Sequence, residues 1–98
     1  MPNLTLPERA SSRDEARELT ASLPASFANA VVTVDGHSLD WSSSSYVDEL
    51  VKQILSNRNA SKLILDQVSE RVALFAKRSA ERRGVFDRLT VKVRPLAS

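Results

Sequence analysis

The chain of 98 residues contains no cysteine and a single histidine. The absence of cysteine excludes disulfide bonds and thiolate metal sites. One histidine argues against a zinc site, because zinc ions in proteins are held by several histidine or cysteine side chains. The sequence therefore predicts a protein that needs no metal ion and no other cofactor.

Long apolar runs are also missing. The longest uninterrupted apolar stretch, Val72 to Ala76, has five residues, whereas a membrane-spanning helix needs about 20. The segment that starts Met1-Pro2-Asn3-Leu4 lacks the basic start and apolar centre of a signal peptide. We therefore expect a cytoplasmic protein with no membrane partner.

What the chain does contain is typical of one globular domain, with 42% hydrophobic and 27% charged residues. Its charges are unevenly distributed: residues 1–49 carry three basic and eight acidic groups, and residues 50–98 carry eleven basic and four acidic groups. The basic half is suited to phosphates or to an acidic protein surface. The plainer interpretation is a solvated basic face on the later elements.

Helical periodicity alternates with short β-branched runs along the whole chain. Strands are predicted near residues 4–6, 30–34, 62–66 and 89–93, the last with alternating polarity typical of a sheet edge. A first helix follows Ser11 or Ser12 and ends before Pro24. The second helix has the clearest pattern, with apolar residues at Val47, Leu50, Val51, Ile54 and Leu55.

The third helix is predicted over residues 68–83, and Gly84 stands where a left-handed C-cap is wanted. Its expected buried stripe consists of Val68, Val72, Phe75, Ala76 and Ser79. The order of elements predicts an α/β fold with a central, mostly parallel sheet of four to five strands and about three helices. Residues 1–98 are expected to form a single domain with its core in residues 11–93.

Three stretches resemble a known pattern: Ser12-Arg13-Asp14-Glu15-Ala16-Arg17, Val32-Thr33-Val34-Asp35-Gly36 and Ser45-Tyr46-Val47-Asp48-Glu49-Leu50. Together they are similar to the STAS-like domains of unknown function, small relatives of the sulphate-transporter and anti-sigma-factor-antagonist fold. The similarity covers about residues 11–93. The chain lacks the Asp-Ser-Ser-Gly loop of the phosphorylated antagonists.

The resemblance implies binding and switching rather than catalysis. In anti-sigma antagonists a serine at the start of the corresponding helix is phosphorylated by a partner kinase. Aligning Leu50 with the leucine after that motif places Ser44 at the phosphorylated position and Ser45 directly after it. The resemblance thus implies a protein partner, with a kinase-like ATPase as one candidate.

The serine run Ser42 to Ser45 also has a purely structural interpretation. Ser45 is expected to be the N-cap of the second helix, with Asp48 as a weak capping-box partner. A phosphate here would meet free backbone N–H groups, which favour it, and Asp48 and Glu49, which oppose it. Capping and phosphorylation do not exclude each other.

Other polar residues favour structural roles. Asp35 and Asp40 have no nucleophile or metal partner beside them, and Asp35-Gly36 is typical of a turn, so we predict no catalytic residue and no enzyme. His37 is expected to be solvated. Trp41 is interpreted either as a rim residue of the core or as an exposed anchor for a partner.

Arg71, Arg78 and Arg82 fall on nearly one meridian of the third helix, at about 100° per residue. They are candidates for contacts with nucleic-acid phosphates or an acidic protein. The alternative is a solvated helix edge on which Glu81 partly pairs with Arg78.

The sequence thus predicts a non-enzymatic regulatory module for protein–protein interaction. It would present the serine loop and the second helix, and its candidate contact or phosphorylation residues are Ser43, Ser44, Ser45, Tyr46 and Trp41. One alternative is a small basic nucleic-acid-binding regulator that uses the third helix. Another is an inhibitory or structural partner protein from a mobile element, docking through a strand edge. Homodimer formation stays open.

Overall fold

The computed structural model describes residues 3–24, 26 and 28–95 of the chain. In this part helices alternate with strands, as the periodicity predicts. The helices are α1 (Arg13–Ala21), α2 (Ser44–Val51) and α3 (Glu70–Arg82). The strands are β1 (Asn3–Thr5), β2 (Arg9–Ala10), β3 (Val31–Asp35), β4 (Trp41–Ser42), β5 (Lys62–Val68) and β6 (Leu89–Val93).

The α/β fold class is confirmed. A four-stranded sheet has the order β1-β3-β5-β6, and each of its pairings is parallel. Strands β2 and β4 form a separate two-stranded parallel pair, which the sequence pattern does not predict. The strand predicted last, β6, lies at an edge of the sheet as expected.

All three helices cover the same face of the sheet. The strands follow one another across the sheet in chain order, and right-handed crossovers then place every connecting helix on one side. Helix α2 is central and packs against both α1 and α3. The core between the layers includes Val32 and Leu63 from the sheet, and all five predicted apolar positions of the second helix are buried.

The opposite face of the sheet is open among the described residues. Val31 and Thr33 of β3 are half-buried, as are Ile64 of β5 and Thr90 of β6. The nearly all-apolar run from Ala30 to Val34 predicts a strand covered on both faces, and this prediction is wrong, because β3 is covered on one face only in the described residues. Its apolar run reflects the β-branched preference of a strand and not a second layer of helices.

Local signals set most of the element boundaries. Ser12 caps α1 by accepting a hydrogen bond from the backbone N–H of Glu15, and Ser69 caps α3 in the same way. Gly84 follows α3 with φ +71°, which is the expected left-handed position. Val68 is buried as predicted, but as the last residue of β5, because Ser69 starts the helix after it.

Helix α2 continues into a π-helical turn, Lys52–Asn57, and a 3₁₀ turn, Phe86–Arg88, precedes β6. The π turn keeps Ile54 and Leu55 buried. The second helical segment is thus as long as its apolar pattern indicates. Its N-terminal end, between the amino end of α1 and the last three turns of α3, positions the candidate site.

Candidate functional site

Ser44 and Ser45 are the first two residues of α2, which confirms their predicted position at its N-terminus. The predicted cap is wrong, however, because Ser43 caps the helix. Its Oγ accepts a hydrogen bond from the backbone N–H of Tyr46 at 3.1 Å and donates one to the carbonyl oxygen of Ser11 at 3.0 Å. The side chains of Ser44 and Ser45 are therefore not used in capping. Ser44 is exposed and Ser45 is half-buried.

These two serines line a polar cavity of about 580 Å³, here called the serine–arginine cavity. Its walls come from the first turns of α1 and α2 and from the last three turns of α3. The residues that line it are Arg13, Ser44, Ser45, Asp48, Phe75, Arg78 and Arg82. The structure thus brings two of the candidate serines together with two of the three candidate arginines.

Asp48 forms the base of this arrangement, and its side chain is 9% exposed. The carboxylate accepts hydrogen bonds from four groups on α1, α3 and the residue after α3: Ser79 Oγ at 2.6 Å, Arg13 Nη1 at 2.8 Å, Arg83 Nη2 at 2.9 Å and Arg82 Nη2 at 3.1 Å. Burial alone acts to raise the pKa of Asp48. The four donors outweigh burial and hold this pKa well below its usual range.

Glu49 is buried beside Asp48, with its side chain 1% exposed. It accepts a hydrogen bond from Gln53 Nε2 at 2.6 Å and longer contacts from Arg13 and Arg17 at 3.4 Å. Burial acts to raise its pKa, but Gln53 and the nearby cations lower it overall. Both carboxylates are thus ionised and paired with cations.

This pairing changes the expectation for a phosphate near Ser44. The sequence suggests that Asp48 and Glu49 oppose a phosphate by like-charge repulsion. In the structure, arginines and hydrogen-bond donors already compensate both carboxylates. Asp48 also has no capping-box role, because its oxygens point toward Ser79 and the arginines.

The arginines of the cavity outnumber its acids. Three guanidinium groups and one carboxylate line it, which leaves a net charge of two positive units. Arg78 has no hydrogen-bond or ion-pair partner in the described part of the chain, so the expected partial pairing with Glu81 is not seen there. Ser44 therefore faces an excess of positive charge.

Arg71 does not line the serine–arginine cavity, although helical spacing places it on the same line of the helix as Arg78 and Arg82. Its guanidinium carbon lies 5.2 Å from the centroid of the Phe75 ring, a cation–π distance. Arg71 lines a small depression together with Asp40 and Trp41. Trp41 is 44% exposed, which favours the anchor interpretation over a place in the core rim.

Most of helix α2 is inaccessible. Each residue from Tyr46 to Val51 is buried, so only the first turn of α2 is accessible to a partner, and Tyr46 is wrong as a contact candidate. The Tyr46 hydroxyl has no hydrogen-bond partner in the described structure. Burial and the nearby Glu15 carboxylate raise the pKa of Tyr46 to about 12. Its role is to fill the core.

His37 is exposed as predicted, with 54% of its side chain accessible. Its Nδ1 lies 2.8 Å from Asp35 Oδ2, and its Nε2 lies 3.0 Å from Ser38 Oγ. Asp35 also accepts a hydrogen bond from the backbone N–H of His37, the geometry of an Asx turn. The order carboxylate, imidazole, hydroxyl is that of a nucleophilic triad, but it is built from one surface turn that solvent reaches.

Sequence reasoning missed three residues that contact Asp48: Arg13, Ser79 and Arg83. In the sequence, Arg13 stands out only as part of the resemblance, and Ser79 only as part of the predicted core stripe. Both residues meet Asp48 across more than 30 positions of the chain. One signal was present: Ser79 was the sole hydroxyl in an otherwise apolar stripe, and a buried hydroxyl needs a partner.

Comparisons of the chain with protein-family models, curated proteins and solved structures found no match. The resemblance to STAS-like domains thus stays a prediction. Within the described ranges no helix is long and apolar enough to cross a membrane. The same residues include no group of three or more histidine, aspartate or glutamate side chains placed to hold a metal ion.

Proposed function

We propose that the domain is a non-enzymatic regulatory module that binds a partner protein at the serine–arginine cavity. The observation that carries this proposal is the exposed Ser44 at a cavity with a net charge of two positive units. The contact surface differs from the one the sequence predicts: it combines the first turn of α2 with the arginines of α3. The resemblance to STAS-like domains supports a binding role, and the proposed location is the cytoplasm.

Phosphorylation of Ser44 is the proposed regulatory event. Ser44 is accessible, its hydroxyl is not needed as a cap, and the acids beside it are already compensated. The resemblance to anti-sigma antagonists points to the same residue and to a kinase-like ATPase as the modifying partner. A phosphoryl group would neutralise the cavity and so alter the surface that a partner meets.

The test is comparative capture from a lysate of the native host, with the purified full chain immobilised. Wild type, Ser44→Ala and Ser56→Asp should retain the same protein, and Ser44→Asp should lose it. Ser56→Asp is the matched control, because Ser56 is exposed but lies in the π-helical turn. Equal capture by Ser44→Asp and wild type would refute the switch.

A second candidate function is nucleic-acid binding, and the convergence of Arg13, Arg78 and Arg82 on one cavity favours it. Phosphate contacts make the affinity for nucleic acid fall steeply with salt. Titration of the purified chain with duplex DNA and duplex RNA at two salt concentrations tests this. Binding that is steeply salt-dependent, together with loss of captured protein after nuclease treatment, would replace the protein-interaction proposal.

A further inference from the structure

The serine–arginine cavity has unused hydrogen-bond donors as well as unused charge. The described contacts of Arg13 engage its Nη1, and those of Arg82 engage its Nη2. The second terminal nitrogen of each guanidinium is therefore available, and Arg78 has no described partner at all. The hydroxyls of Ser44 and Ser45 line the same space. Donors from three helices thus surround one volume.

We propose that this cavity binds a dianionic phosphate group. The net charge of its lining matches a dianion in magnitude, and the planar guanidinium fork pairs well with phosphate oxygens. A phosphate also accepts hydrogen bonds in several directions, as donors from separate helices require. A duplex strand would place its phosphates in a row, whereas the available donors here converge on a single compact volume.

The phosphate group that the cavity binds could come from either of two sources with the same chemistry. One is a free phosphate compound, and the other is the phosphoryl group of phosphorylated Ser44 itself. The second source rests on the proposed function, because it requires that Ser44 is modified. It predicts intramolecular capture: a phosphoryl group on Ser44 occupies the cavity of its own chain and excludes free phosphate from it.

Inorganic phosphate is the probe for the first source. The purified full chain is titrated at pH 8 and constant ionic strength by calorimetry, with the amide resonances of Ser44 and Ser45 followed by NMR. Wild type should show saturable binding with shifts at these amides. Arg78→Gln should weaken binding at least tenfold, which is about 1.4 kcal/mol.

Arg71→Gln is the matched control, because it removes the same charge from the same helix at a residue that does not line the cavity. It should change the affinity less than twofold. Equal losses in Arg71→Gln and Arg78→Gln would show that net charge alone attracts phosphate and would overturn the site, as would unsaturable binding by wild type. Both arginines are exposed, so both variants should remain folded, which thermal unfolding checks.

The second source is tested with protein that carries phosphoserine at position 44. This protein should bind inorganic phosphate at least tenfold more weakly than unmodified wild type. Equal binding would overturn intramolecular capture. The proposed function can fail separately from the phosphate site. If wild type binds phosphate but Ser44→Asp captures the same protein as wild type, the protein switch is refuted and the phosphate site is retained.

Discussion

The arginines around Asp48 and Glu49 have two different roles. On the inner side of this cluster they pair with buried carboxylates, and on the outer side they line the serine–arginine cavity. On the inner side, Asp48 and Glu49 are buried and their oxygens are occupied by arginines, Ser79 and Gln53. On the outer side, Arg78 is exposed and has no partner among the residues described. Arg82 belongs to both, since it donates to Asp48 and also lines the cavity.

The comparison shows that an arginine becomes structural when it pairs with a buried carboxylate and stays available for a ligand when it does not. A buried carboxylate needs full compensation, so it fixes the arginines that reach it. An exposed arginine is solvated by water and loses little without a partner. The inner pairs therefore hold the cavity walls in place, and the outer side chains are left free to meet an anion.

The strongest way to break this division is to remove Asp48. Asp48→Ala should lower the free energy of unfolding by about 1–3 kcal/mol, because the buried Ser79 hydroxyl loses its acceptor, while the three arginines that lose their ion pairs are partly exposed and contribute less. Urea denaturation measures the loss. Asp14→Ala is the control, since Asp14 pairs with Arg17 at 83% exposure and should cost less than about 1 kcal/mol. Equal losses would contradict a structural role that depends on burial.

The inner side should also set the acid stability of the domain. The pKa of Asp48 is lowered on folding, so its ionised form adds stability above the unfolded pKa of about 3.9. That contribution disappears as the pH falls from there through the lowered folded pKa. Unfolding midpoints measured from pH 7 to pH 2.5 should decline more in wild type than in Asp48→Asn. Equal declines of the unfolding midpoint in the two proteins would show that other carboxylates determine the acid stability.

A smaller effect separates the serines of the loop. Ser43→Ala should cost about 1 kcal/mol, because it removes the N-cap of α2. Ser45→Ala should change stability by less than about 0.5 kcal/mol, since Ser45 forms no cap. Thermal unfolding of both variants checks the difference. A larger loss in Ser45→Ala would restore the cap that the sequence suggests.

The layer structure was predictable because periodicity reports which face of an element is buried. The five apolar positions of the second helix were all found in the core. The open face of the sheet was not predicted, because a β-branched run looks the same whether one face or both are covered. The β2–β4 pair was missed since each strand has two residues, too few for any pattern.

The candidate site was predictable in part. The resemblance indicates Ser44, the serine run indicates Ser45 and helical spacing indicates Arg78 and Arg82; all four line the cavity. The choice of Ser43 as the cap was not visible, because four consecutive serines have the same local preference. Its backbone N–H donates to Ala10 and its hydroxyl to Ser11, which are contacts between distant segments. Arg13 was missed for the same reason.

The parallel sheet also affects how the chain reaches its folded state. Thirty residues separate Asn3 from its partner Thr33, and similar distances separate Val31 from Lys62 and Leu63 from Leu89. No pairing in the four-stranded sheet is a hairpin that could form locally. Each ladder must therefore overcome the entropy of closing a long loop before its first hydrogen bond forms. Such non-local pairing slows folding relative to a helical bundle of this length, and docking of each connecting helix helps to close its loop.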